Sequence, residues 1–179
     1  NRRSFDLELS RRLAQRQRQG MSLCLMIIDI DHFKAINDTL GHLQGDTILK
    51  EVANALAGAA RHMDIVARLG GDEFAVLLPG SNLDEASQAA ERFRSAIGES
   101  RFRDRTGGHA PTISCGVAEA QPDDDSISLI KRADSALYAA KEAGRNCCFR
   151  HGGPVLAVPI ATVIEDASTW STGSPTLLP

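Results

Sequence analysis

Residues 65–79 constrain the fold more than any other stretch of this chain. Ile65-Val66-Ala67-Arg68-Leu69 is β-branched and partly alternating, Phe74-Ala75-Val76-Leu77-Leu78 is apolar, and Gly70-Gly71-Asp72-Glu73 separates them before Pro79-Gly80 ends the run. That pattern predicts a β-hairpin with two acids at its tip. Gly70 and Gly71 tolerate positive φ and carry no side chain, so the chain can turn sharply and a bulky ligand can come close to the acids. Carboxylates gathered at a turn point to a metal site.

A second run of this kind lies upstream. Ser22 to Ile28 is apolar and ends in Asp29-Ile30-Asp31, consistent with a buried central strand that delivers carboxylates at its C-terminal end. Asp29 and Asp31 would share a face while the chain is extended, although Asp31 also stands where a helix N-cap is needed. If this strand neighbours the hairpin, Asp29 and Asp72 converge. Magnesium suits such a place, since it takes one or two protein carboxylates and completes its octahedron with water and substrate phosphate. Two such ions would activate an attacking hydroxyl and neutralise a leaving pyrophosphate. Each acid taken singly is as well explained as a solvated strand-end residue.

Phosphate and base recognition have candidates nearby. The amides of His32, Phe33 and Lys34 open a short helix, and helix-opening amides bind phosphate oxygens. Lys34, Lys141 and Arg145 would supply positive charge, though a lysine in the last turn of a helix is favoured by the dipole alone. Asp46 with Asn37 would distinguish guanine, because a carboxylate accepts from the base N1–H and the exocyclic amine; a helix acid and a turn residue are the plainer readings. Arg61 and Asp64 stand three apart just before the hairpin, either as a purine-binding pair or as a surface ion pair of small energy.

With 179 residues, 42% of them hydrophobic and 24% charged, the chain fits one domain with a substantial core plus a tail. A formal net charge of −3 and a pI near 6.0 carry no footprint for nucleic acid or an anionic membrane. No run is long and apolar enough for a membrane span, and no signal peptide opens the sequence, so a cytoplasmic location is expected. Cys24, Cys115 and the adjacent Cys147-Cys148 match neither a zinc site nor a disulfide framework.

The remaining pattern predicts an opening helix with Phe5, Leu7, Leu9 and Leu13, a short helix over His32 to Ile36, and a long helix from about Gly45 carrying Ile48, Leu49, Val52 and Leu56. Further helices are expected over Leu83 to Ile97 and Ser126 to Ala143, the latter stopped by Gly144. Strands are expected over Pro111 to Val117 and Asn146 to Arg150. This order implies an α+β sandwich whose helices flank a central mixed, mainly antiparallel sheet. From His151 the composition shifts to Gly, Pro, Ser and Thr. In that tail Val155 to Ile164 would pair only at an edge, because Pro159 interrupts it.

The strings Asp29-Ile30-Asp31-His32-Phe33-Lys34-Ala35-Ile36-Asn37-Asp38, Gly41-His42, Gly45-Asp46, Arg68 to Phe74, Ala136-Leu137-Tyr138 to Lys141, and Gly144-Arg145-Asn146 together resemble GGDEF domains over residues 1–150. The resemblance implies a palm-like nucleotidyl cyclase fold with a β-hairpin carrying the signature. It implies a diguanylate cyclase that joins two GTP into cyclic di-GMP and releases two pyrophosphates. Position by position, it makes Asp29, the Ile30 carbonyl and Asp72 ligands of two Mg2+ (or Mn2+) ions, with Glu73 helping to deprotonate the 3′-hydroxyl. Asn37 and Asp46 would read guanine; the amides near His32 and Phe33, with Lys34, Lys141 and Arg145, would hold the triphosphate beside Gly70 and Gly71. His42 is a motif position without an assigned role. Each domain would bind one GTP, so catalysis would need a homodimer. Arg61, Asp64 and Arg92 match an inhibitory site for the product. The family's usual lead-in, Asp-x-Leu-Thr-Gly-Leu, would precede Asn1, and with it an expected sensory or dimerising region. The competing expectations are a catalytically silent binding module for GTP or cyclic di-GMP, and a purely structural domain.

Overall fold

Leu23–Ile30, the strand β1, is buried at every position, so it must be covered on both faces and flanked on both edges. The computed structural model, which describes residues 2–98, 111–152 and 157–159, provides that cover. In chain order the elements are α1 (Arg2–Gln19), β1, α2 (Phe33–Leu40), α3 (His42–Ala59), β2 (Ile65–Gly70), β3 (Glu73–Pro79), α4 (Leu83–Gly98), β4 (Ile113–Glu119), α5 (Ser126–Glu142), β5 (Cys148–His151) and β6 (Ala157–Pro159). The sheet order is β2-β3-β1-β4-β5-β6. All neighbouring pairs run antiparallel except β4 and β5, whose parallel pairing requires the crossover that α5 supplies. The sheet is thus mixed and mainly antiparallel, as the sequence predicts.

Alternation along β1 divides the core in two, because successive side chains of a strand point to opposite faces. Cys24, Met26, Ile28 and Ile30 pack with Ile48, Val52 and Leu56 of α3 and Phe93 of α4. Leu23, Leu25 and Ile27 pack with Phe5, Leu9 and Leu13 of α1 and Leu129, Ala133 and Leu137 of α5. The helix α5 packs closely on β4. A Cβ at Gly116 would stand 2.2 Å from both the Ala133 carbonyl oxygen and the Leu137 nitrogen, so only glycine lets the helix settle there.

Several boundaries differ from expectation. The helix α2 runs to Leu40, and α3 begins at His42 rather than near Gly45, because Gly41 alone makes the break. At φ 82 its N–H closes α2 on the Asn37 carbonyl, while its own carbonyl accepts from Gln44 and Gly45 to open α3. Asp46 therefore lies beyond the first turn of its helix. The strand β5 starts at Cys148 because Arg145 and Asn146 are left-handed, and β4 runs on to Glu119. The edge position foreseen around Pro159 is that of β6, which pairs with β5 opposite Phe149. The rest of the tail, Trp170 included, lies outside the described residues.

Candidate active site

The hairpin tip and the end of β1 meet as their pairing dictates. Asp29 is the register partner of Glu73, and the Asp72 carbonyl accepts from the Ile30 N–H at 3.3 Å. Gly71 turns the chain at φ 52. Arg68, to which sequence reading gave no role, fastens the turn: its Nε and Nη2 donate to the Gly71 carbonyl at 3.0 and 2.7 Å. Because Leu69 bulges between the paired residues Arg68 and Gly70, the tip is re-aimed relative to the strands that carry it.

Lys141, in the last turn of α5, places its Nζ 2.9 Å from Asp29 Oδ2. Burial pushes the Asp29 carboxyl above its ordinary range; the Lys141 hydrogen bond and charge oppose this, and the negative charges of Asp72 and Glu73 add to it. Three carboxylates therefore share one field with an ammonium seated on one of them. Asp134 of α5, also absent from the sequence candidates, borders the same group, and its carboxyl is pushed up by burial and by Glu73. It lines a cavity of about 180 Å³ with Arg2, Asp6, Leu69 and Glu73.

The α2 and α3 candidates also come together. A Cβ at Gly45 would fall 1.9 Å from Asn37 Oδ1, so the Asn37 carboxamide lies over the glycine that precedes Asp46. His32 precedes α2 in left-handed geometry (φ 56, ψ 27). The helix ladder begins with the Ile36 N–H on the His32 carbonyl, which leaves the amides of Phe33 and Lys34 outside it. His42 is exposed at the start of α3.

Asp31 departs from expectation. It is not a helix cap: the strand ends at Ile30, His32 takes the cap position without a side-chain bond, and Asp31 turns inward to 3% exposure. Its Oδ2 accepts from Thr112 Oγ1 at 2.6 Å and from the Asn146 N–H at 2.9 Å, and its Oδ1 from Ser114 Oγ at 2.6 Å. Hydroxyls alternating at Thr112 and Ser114 in an otherwise apolar run were the signal of a buried acceptor. The turn it reaches closes α5 in a Schellman motif, with Gly144 N–H on the Lys141 carbonyl and Arg145 N–H on the Ala140 carbonyl. Arg145 (φ 67) and Asn146 (φ 47) then stay left-handed, which for side-chain-bearing residues costs on the order of 1 kcal/mol each.

Arg61 and Asp64 form a tight turn at the far end of β2 from the hairpin tip. The Arg61 N–H donates to Asp64 Oδ2 at 2.7 Å, and the Asp64 N–H to the Arg61 carbonyl at 3.0 Å. From α4, Arg92 Nε donates to the Ala59 carbonyl at 3.1 Å, two residues from Arg61. The three candidates thus lie at one place, at the other end of the strand from the carboxylates.

Comparison with known proteins agrees with this architecture. The family model described as "Diguanylate cyclase, GGDEF domain" matches residues 1–147. Diguanylate cyclase DgcP of Pseudomonas aeruginosa is 42% identical over 146 residues, covering 82% of this chain and 22% of that protein. Diguanylate cyclase DosC of Escherichia coli is 41% identical over 147 residues, covering 82% of this chain and 32% of that protein; the chain thus spans a third or less of the length of these two relatives. The GGDEF domain of DgcB from Caulobacter crescentus, solved in complex with c-di-GMP, superposes with a TM-score of 0.78 at 35% identity, over 86% of this chain and 91% of that one. The active GGEEF domain of a diguanylate cyclase from Vibrio cholerae gives a TM-score of 0.80 at 31% identity, over 86% and 98%. A match across residues 1–147, on a sheet whose hairpin bears Gly70 to Phe74, means that this chain belongs to the GGDEF domain family.

Proposed function

We propose that residues 1–150 form a diguanylate cyclase domain that condenses two GTP into cyclic di-GMP with loss of two pyrophosphates. The observation that carries this reading is that pairing of β1 with β3 brings Asp29 into the field of Asp72 and Glu73, with the Lys141 ammonium 2.9 Å from Asp29. That donor set fits a hard divalent cation, since it offers only carboxylate and carbonyl oxygens and already attracts a positive group. Magnesium suits such oxygens, because water and substrate phosphate complete its shell. Asp29, the Ile30 carbonyl and Asp72 would hold two Mg2+ ions, with Mn2+ as a substitute. When bound, they supply charge neutralisation for the phosphates and the leaving pyrophosphate.

The chain's own groups do the rest. Asp46 and Asn37 accept and donate to the guanine edge. The first amides at His32 and Phe33, with Lys34, Lys141 and Arg145, hold the triphosphate, and Gly70 and Gly71 let it approach the tip. Glu73 takes the proton of the 3′-hydroxyl as that oxygen bonds the α-phosphorus and the bond to pyrophosphate breaks. One domain holds one GTP, so two domains meet face to face for each 3′-oxygen to reach the other's α-phosphorus. Arg61, Asp64 and Arg92 bind the product and slow the enzyme. Such chemistry would belong to the bacterial cytoplasm, and the tail from His151 on, which adds β6 at the sheet edge, has no part in it.

The test is to strip bound nucleotide, incubate concentrated protein with magnesium and GTP, and identify products by chromatography. Cyclic di-GMP is expected from the parent and not from Asp72→Ala, which should fold normally because it removes a ligand and no core packing. GTP binding without product in the parent would convert the reading to a silent binding module.

A further inference from the structure

Asp31 joins three segments that the sequence keeps far apart: the end of β1, the start of β4 and the turn after α5. Its carboxylate is buried and its oxygens meet three protein donors, so it is spent on structure. The turn it holds is unusual. Gly144, Arg145 and Asn146 are consecutive residues at positive φ (111, 67 and 47), and while glycine and asparagine accept such geometry, the Arg145 side chain disfavours it. A conformation of this kind persists only where its surroundings over-determine it. The Asn146 N–H is held by Asp31, and Asn146 Oδ1 accepts from Arg94 Nη1 at 2.9 Å; Arg94 in turn is paired with Glu91 at 2.9 Å.

Between these fixed points sits Arg145. Its N–H is tied to Ala140, one residue before Lys141, and Lys141 reaches Asp29. Asp31 follows Asp29 by two residues, so a single strand end carries both the candidate metal carboxylate and the clamp on the arginine turn. We propose that Asp31 is a positioning residue: by holding the Asn146 N–H it keeps Arg145 in the left-handed geometry from which the arginine serves the triphosphate. This rests on the nucleotide-site reading above and adds to it a residue that never touches substrate. The required feature is geometric. An asparagine can still offer one oxygen to the Asn146 N–H and Thr112, while the Ser114 hydroxyl reverses to accept; an alanine offers the backbone N–H nothing.

The experiment is a double-mutant cycle on the full chain, stripped of nucleotide. It reads the affinity for a non-hydrolysable α,β-methylene GTP analogue with magnesium by calorimetry. Asp31→Ala should weaken binding by about tenfold, the coupling expected within one hydrogen-bond network. Arg145→Ala should weaken it at least as much, the double variant no more than Arg145→Ala alone, and Asp31→Asn should keep most of the affinity. In turnover, Asp31→Ala should raise KM for GTP more than it lowers kcat, whereas a loss of folded protein would lower kcat at constant KM. Additive losses, or an unchanged affinity in Asp31→Ala, would overturn the inference. If that variant does not fold, Thr112→Val removes one of the two donors on Oδ2 and must show the same non-additivity. A parent that binds the analogue but makes no cyclic di-GMP defeats the cyclase reading and leaves the cycle decisive. A parent that binds no analogue defeats Arg145's role, and Asp31's with it.

Discussion

Asp29 answers to two requirements that oppose each other. As a buried carboxylate beside Asp72 and Glu73 its charge is disfavoured by the fold, and its pKa is raised despite Lys141. An acid raised in the folded state adds stability while protonated, below the ordinary value of 3.8, and that contribution is lost as the pH rises through the folded value. At neutral pH without divalent cation, Asp29→Asn should therefore melt higher than the parent, with the gap closing below pH 3.8, while cyclic di-GMP synthesis is lost. A lower melting temperature for the variant at pH 7 would mean that the Lys141 pair outweighs burial. The placement of Asp29 at a strand end and of Asp72 and Glu73 at a hairpin tip was legible in the sequence, because strand ends and glycine turns are local patterns. The role of Asp31 was not, since its partners stand 81, 83 and 115 residues away and no local periodicity encodes that meeting.

Among the elements, α5 depends most on one absent side chain. A methyl group at Gly116 would meet helix backbone at 2.2 Å, and backbone cannot rotate aside. Gly116→Ala should cost about 3 kcal/mol, the upper part of the overpacking range, measured as a shift in the denaturation midpoint. Because Lys141 rides on the same helix, GTP affinity should fall with it. The loop between α3 and β2 makes a different kind of junction. Arg61 is exposed, its turn is held by backbone and Asp64 rather than by its guanidinium, and Arg92 is anchored to Ala59. Arg61→Ala should leave the fold intact and weaken product inhibition by tenfold or so, the range of a lost charge-assisted contact; unchanged inhibition by added cyclic di-GMP would contradict this assignment. Helix existence was readable throughout, whereas the α2–α3 boundary was not. Asn37 to Leu40 look like a turn by composition, and only the positive φ of the single residue Gly41 shows that the helices nearly touch.

At the scale of the molecule, the antiparallel order β3-β1-β4 brings the C-terminal end of β1, the start of β3 and the start of β4 to one end of the sheet, where the proposed catalytic carboxylates are carried. On the proposed reading that end serves one nucleotide, so the rate at fixed GTP should rise as the square of protein concentration when dimers are scarce. A linear dependence down to nanomolar protein would indicate a preformed pair or a reaction within one domain. The layers were legible in sequence order, because β1 is apolar on both faces and α1, α3, α4 and α5 each bury one apolar stripe. The predicted strand, helix and strand over residues 111–150 already allowed the one parallel step, from β4 to β5, but not which strands would neighbour each other across the sheet. The arrangement of β1 also limits how such a domain can change over time. Its odd and even positions serve opposite layers, so a slip of one residue would exchange the two layers and turn Asp29 away from Glu73 in the same event. Fold and proposed chemistry are therefore tied to a single register here: any slip that misplaces the core of this strand also misplaces Asp29.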